Sequence, residues 1–231
     1  MPVGIIVNCA SVLAGGLIGS FSGRLLSQRI RDDLPTMFGI CAICISLRSI
    51  LQTDNMTVVV LAVLAGYLFG HTLGLERRIQ SVAKRLLGGA KLSGEGFNMP
   101  LFISCITLFC CSGMGWYGAL TEAISGSPDI LFSKSVLDFF TALVFAASLR
   151  AAVCLIPIPQ AAVMLLVFMI GKGISGIMTP EAFANLSGCG GVITLAAGLR
   201  IAKIREIQAI DIVPSMILVI PLSMLAAAIS L

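Results

Sequence analysis

The chain has 231 residues, of which 58% are hydrophobic and 11% charged; 24 are glycine and the formal net charge is +4. Soluble domains carry roughly 25% charged residues, and 15 basic plus 11 acidic side chains are too few to coat a globule of this size. With a mean hydropathy of +1.04, the composition excludes a soluble enzyme, a secreted disulfide scaffold and a disordered chain, and predicts an all-α, polytopic transmembrane helical bundle.

Apolar stretches of about 20 residues, the length a membrane helix needs, fall at residues 3–21, 34–51, 58–75, 99–120, 130–149, 158–177, 183–199 and 210–230. The boundary between the fifth and sixth is the least distinct, so seven or eight spans fit. Residues 1–231 then form a single integral membrane domain. No Lys or Arg precedes the first stretch and no small-x-small cleavage site follows it, so it reads as an uncleaved span. The odd-numbered connections hold 12 of the 15 basic residues, from Arg24 through Arg205; the even side has only Lys172, near the end of the sixth stretch, and Arg48 and Lys134 lie within spans. By the positive-inside rule, this alternation places both termini outside and the odd connections in the cytoplasm. The absence of an organellar address points to a bacterial inner membrane.

The connection 76–97 reads as a cytoplasmic amphipathic helix, with Ile79, Val82, Leu86 and Leu87 on its apolar side, followed by a Gly/Ser-rich linker. Such a helix is expected to lie against anionic lipid. Glycines recur at helical spacing: Gly15, Gly19 and Gly23 in the first span, Gly66, Gly70 and Gly74 in the third. Ladders of this kind let helix backbones approach closely. Gly15-Gly16-Leu17-Ile18 with Gly23 also matches Gly190-Gly191-Val192-Ile193 with Gly198 at a constant offset of 175. Close packing accounts for the match, and so does a duplicated helix hairpin of the kind found in transporters.

Charged and polar residues within membrane spans are expensive and therefore informative. Lys134, Asp138 and Thr141 stand at i, i+4 and i+7, one stripe of the fifth span. Lys134 and Asp138 can pair, either as a lock between helices or as a group that meets a solute. In the fourth span Ser112-Gly113-Met114-Gly115-Trp116-Tyr117-Gly118 contains a formal G-x-G-x-x-G. No strand–turn–helix unit surrounds it, so a dinucleotide site is rejected. Three glycines in six residues are instead expected to weaken the helix, and an interrupted span exposes backbone groups that can hold a solute. Glu122 and the turn Ser125-Gly126-Ser127-Pro128-Asp129 connect this break to Lys134. Asn8 in the first span and His71 in the third are further intramembrane polar groups. Lys134, Asp138, Ser112, Gly113, Gly115, Gly118, Glu122, Asn8 and His71 are therefore the candidate solute- or ion-binding residues.

Eight cysteines lie almost wholly in apolar runs, where cysteine is a small packing residue. Cys41-x-x-Cys44 lacks a second pair or a nearby histidine, so no metal site is expected. No hydrolase motif is present, and no basic–aromatic patch that would read nucleic acid. No cofactor, catalytic residue or enzymatic activity is expected. The partners expected are the lipid bilayer, a small solute or ion, and further copies of the chain.

Taken along the chain, Val7-Asn8-Cys9-Ala10 with Gly15-Gly16, Ser112-Gly113-Met114-Gly115 with Tyr117-Gly118-Ala119, Lys134 through Phe140, and Gly190-Gly191 with Gly198-Leu199-Arg200-Ile201 are similar to the YqgA family of uncharacterised bacterial inner-membrane proteins. The resemblance implies a membrane protein with no assigned activity. Arg150 stands where that family tends to have glycine, and Asp211 where it tends to have asparagine. The leading expectation is a small-solute transporter or channel; the alternative is a membrane scaffold or sensor subunit acting through partners.

Overall fold

The computed structural model describes residues 2–22, 27–89, 97–173 and 179–229. Among them there is no strand. The helices are α1 (Val3–Ser22), α2 (Gln28–Leu51), α3 (Met56–Leu73), α4 (Leu75–Gly89), α5 (Met99–Cys110), α6 (Gly113–Ser125), α7 (Asp129–Leu149), α8 (Pro157–Gly173), α9 (Pro180–Ile201) and α10 (Ser215–Ile229). Among the described residues, two 3-10 segments occur: Arg150–Leu155, which turns back alongside α1 after the end of α7, and Ala209–Ile212, which precedes α10. Among the described residues, seven stretches are long and apolar enough to cross a membrane: α1, α2, α3, α5 with α6, α7 with the 3-10 segment after it, α9, and α10 with its lead-in. α8 has 17 residues, which at a rise of 1.5 Å still reach about 25 Å.

Helix pairing settles whether α8 counts as a pass. Gly4, Gly15 and Gly19 of α1 lie against Leu131, Ala142 and Ala146 of α7, so these two helices run parallel. Gly115 of α6 meets Met164 of α8, and Gly171 of α8 meets Leu120 and Ala123 of α6, again parallel. The order reverses elsewhere: Gly39 meets Ala202 and Gly191 meets Ile50, so α2 and α9 are antiparallel. Likewise Gly66 meets Ser215 and Gly70 meets Asp211, making α3 and α10 antiparallel. Passes that alternate in direction reproduce all four relations when α8 is the sixth of eight. Without α8, α9 would run parallel to α2 and α10 parallel to α3. The end where α1 begins is hereafter the N-terminal face; the other, which carries Arg77, Arg78, Arg200 and Lys203, is the basic face.

The centre of the bundle is made by α5–α6 and α9, whose apolar stretches are 65% and 61% buried, against 22% for α2 and 28% for α3 at the rim. The rim presents Val60, Leu61, Leu64, Leu68 and Phe69 of α3 outward, which suits hydrocarbon because helices satisfy their own backbone there. Close approach depends on missing side chains. A Cβ on Gly15 or Gly19 would overlap the Phe139 or Leu143 carbonyl oxygen of α7. Gly15→Val is therefore expected to push α1 from α7 and destabilise by about 1–3 kcal/mol. A lowered thermal midpoint in detergent would register this, while Leu13→Val, at an exposed position of the same helix, leaves the midpoint unchanged.

The matched glycine pairs serve different partners. Gly16 faces Val153 and Cys154, whereas Gly191 faces Ser46, Ser49 and Ile50 of α2. α9 packs on α10, but among the described residues α1 and α2 have no comparable packing between them. The ladder in α3 divides as well: Gly66 and Gly70 admit the start of α10, while Gly74, at φ +60°, ends the helix in a left-handed cap. The amphipathic α4 docks on the bundle through Glu76, Ala83 and Leu87, all buried, with Ile79 partly so. Val82, expected on the apolar side, is half exposed. The Leu86 side chain lies outside the described residues. Arg150 closes α7 at φ 53° and ψ −141°, a backbone that glycine adopts freely and other residues only under strain.

Candidate functional site

The interruption of the fourth pass has a local cause. α5 ends at Cys111, whose N–H donates to the Thr107 carbonyl at 2.9 Å. Ser112 then turns extended (φ −71°, ψ 140°) and caps α6, its hydroxyl accepting from the Gly115 N–H at 3.3 Å. Trp116 Nε1 donates to the Cys110 carbonyl at 3.0 Å, satisfying an end group of α5 that the break would leave bare. The break therefore lies one residue ahead of the glycines and is made by a serine cap. The glycines do something else. A Cβ on Gly115 would lie 3.0 Å from Lys134 Cε, and one on Gly118 2.7 Å from Leu131 Cδ2. Gly115 leaves room for the Lys134 side chain beside the first turn of α6, whereas Gly118 admits Leu131 of α7.

Lys134 and Asp138 form an ion pair one turn apart on α7, with side chains only 3% and 10% exposed. Two amides join them. Asn8 Nδ2 of α1 donates to Asp138 Oδ2 at 2.9 Å. Gln160 Nε2 of α8 donates to Asn8 Oδ1 at 2.7 Å and to Asp138 Oδ2 at 3.2 Å. All three donors use one carboxylate oxygen; Oδ1 takes no hydrogen bond from the described residues. Gln160 is fully buried, and its Oε1 has no donor among the described residues. The ammonium of Lys134 also stands 6.0 Å from the Phe109 ring centre. Gln160 is absent from the candidates that the sequence suggests. The signal for it is an amide just after Pro157-Ile158-Pro159 within an apolar run.

The pair faces a cavity. About 80 Å³ of open space is lined by Lys134, Asp138, Ser112, Thr141, Thr194 and Ser49, among apolar side chains. The Thr141 and Thr194 hydroxyls donate to their own helix backbones at 2.7 and 2.8 Å, leaving their oxygens as acceptors. Ser49 and Met114 also line a larger vestibule of about 700 Å³. Its walls come from the end of α2 (Gln52), the end of α6 (Thr121, Ser125) and the starts of α7 (Ser133) and α9 (Pro180), so it belongs to the N-terminal face. Among the described residues, no charged side chain lines it. Towards the basic face, Phe38 packs edge-on against buried Phe145 at 5.1 Å, below the small cavity.

Other candidates lie elsewhere. Glu122 is buried and accepts the Gly4 N–H through Oε1 at 2.7 Å, tying α6 to the positive end of α1. His71 lies near the basic face, stacked on Tyr67 at 5.6 Å, with Nδ1 3.4 Å from Asp211 Oδ2. It belongs to a second polar cluster that no sequence pattern assembles. Arg200 at the end of α9 bonds Glu76 Oε1 at 2.5 Å and Glu206 Oε2 at 3.1 Å. The Glu76 N–H donates to Asp211 Oδ1 at 2.9 Å. Glu76 and Asp211 are both about 1% exposed, and the Glu76 Oε2 has no donor among the described residues. Among the described residues, no group of His, Cys, Asp or Glu could hold a metal ion.

Apolar helices around a broken pass and a buried charged network define an integral membrane protein of the polytopic α-helical class. The family model described as "Protein of unknown function (DUF554)" matches residues 3–224, and the chain belongs to that family. It is 36% identical to the uncharacterized protein YqgA of Escherichia coli (strain K12), over 96% of this chain and 97% of the relative. It is 19% identical to the uncharacterized membrane protein YdfK of Bacillus subtilis (strain 168), over 93% of each chain. No solved structure matches.

Proposed function

We propose that the protein is a permease for a small solute or ion in a bacterial inner membrane, with its site at Lys134, Asp138 and the Ser112 break, and no enzymatic role. One observation carries this reading: a membrane-embedded charged pair lines a cavity that shares walls with a wide vestibule on one face. A pair that served only to lock helices would need no open space, and hydration of such space offsets the penalty of burying charge. With basic residues inside, the vestibule opens outward, and the Phe38–Phe145 contact closes the path inward. The broken α5–α6 pass supplies the irregular backbone that membrane solute sites use where it lines a cavity.

The test is flux across proteoliposomes. Vesicles with the native protein are expected to equilibrate a small polar solute faster than empty ones. Asp138→Asn and Lys134→Ala each reduce that flux roughly tenfold or more, as loss of a charge-assisted contact does. Native flux that survives both substitutions overturns the site. If no solute crosses and one dominant partner is recovered from membranes, the chain acts as a scaffold or sensor subunit instead.

A further inference from the structure

We infer that the solute is a small zwitterion carrying one ammonium and one carboxylate, an inference that rests on the permease reading above. The entrance comes first. Vestibule walls include Ser49, Gln52, Thr121, Ser125 and Ser133 but, among the described residues, no charged side chain, whereas paths that select an ion by its net charge are lined by rings of like charge. The entrance thus hydrogen-bonds a solute without sorting it by charge. At its end stand one cation and one anion, Lys134 and Asp138, both lining the same small cavity.

Each of the two charges has a part free for a ligand. The ammonium of Lys134 has three donor hydrogens, one of which is used on Asp138 Oδ2. It passes directly beside Gly115 in the first turn of α6. Ser112 adds a hydroxyl on the same side. This half suits a carboxylate. On the other half, Asp138 Oδ1 takes no hydrogen bond from the described residues, and the Thr141 and Thr194 hydroxyls, whose protons go to their own helices, turn acceptor oxygens to the same cavity. That half is rich in acceptors and suits an ammonium.

Charge arithmetic favours a solute with both groups. A lone anion beside Lys134 would also face Asp138, and a lone cation beside Asp138 would face Lys134; either would leave a net charge in a space of about 80 Å³ within the bilayer. A zwitterion exchanges one ion pair for two and leaves the site neutral. An uncharged polyol or amide would use neither charge, although both are costly to maintain there.

The experiment loads proteoliposomes and empty vesicles with one mixture of free glycine, free alanine, acetate, methylammonium, glycerol and urea, and follows efflux of each. Glycine and alanine are expected to leave at least tenfold faster than the other four, relative to empty vesicles. In Asp138→Asn, which keeps Lys134 alone, the preference moves to acetate; in Lys134→Met, which keeps Asp138 alone, it moves to methylammonium. Should glycerol, urea or a singly charged ion cross while glycine and alanine are held back, the zwitterion assignment is overturned and the permease reading stands. Zwitterion efflux that neither variant alters overturns the assignment to this pair. No efflux of any member sinks both readings. Because the variants can fail to fold, a second measurement uses the native protein in detergent. Glycine is expected to raise its thermal midpoint, and an equal concentration of acetate plus methylammonium is not; the reverse pattern overturns the inference.

Discussion

Lys134→Met is expected to destabilise the protein by about 3–5 kcal/mol, the range for removing one partner of a buried ion pair. Asp138 would be left with a side chain only 10% exposed and with two amide donors, Asn8 Nδ2 and Gln160 Nε2, in place of an ammonium. Neutral donors offset part of a buried carboxylate's desolvation but cannot cancel its charge. The paired substitution Lys134→Met with Asp138→Leu removes both charges and should recover more than half of the loss. Recovery stays incomplete because Asn8 Nδ2 then has no acceptor. Thermal unfolding of the four proteins in detergent closes a double-mutant cycle. A coupling energy near zero would mean that water already screens the two charges from one another, and that the pair contributes nothing to the fold.

Arg200→Met is the second large effect, also about 3–5 kcal/mol. Arg200 is the cation that bonds Glu76, whose side chain is 2% exposed and whose Oε2 has no donor among the described residues. Asp211, equally enclosed, stands next to it and takes the Glu76 N–H. Removing the guanidinium leaves two buried carboxylates with His71 as the nearest basic group that bonds either of them. The other arm of Arg200 provides an internal comparison. Glu206 is 76% exposed, and exposed pairs contribute about 1 kcal/mol or less. Glu206→Ala should therefore move the midpoint little, while Arg200→Met and Glu76→Ala move it by several degrees. Equal effects from Glu206 and Glu76 would show that the cluster is hydrated throughout. The cluster joins the start of α4, the end of α9 and the lead-in to α10, so unfolding should begin there in the Arg200 variant.

The residues that carry charge into the apolar runs are legible in the sequence. Lys134 and Asp138 are four apart in a helix-length stretch, and helical periodicity alone brings them together. The glycine ladders likewise announce close packing, and the alternation of basic connections is enough to favour an even number of passes. The break near Ser112 is also legible, but its cause is not the one the glycines suggest: a run of glycines draws attention, whereas the serine ahead of them forms the cap. Gln160 and the Arg200–Glu76–Asp211 cluster are not legible. Their members are separated from their partners by tens to more than a hundred residues, and no local period connects them.

By itself, the sequence determined that this chain lives in a bilayer, that it is helical throughout its apolar runs, and which side chains are costly enough there to need partners. Those properties depend on composition and on contacts within about one helical turn, where chain connectivity dictates geometry. The tertiary structure alone decided that α8 is a pass in its own right, that α1 runs parallel to α7, and that Asn8 and Gln160 converge on Asp138. It also decided that Lys134 and Asp138, both buried, line one small cavity. In lipid, no difference in polarity selects one helix neighbour over another; steric fit at glycine and the pairing of polar groups do so. Both depend on the full three-dimensional arrangement.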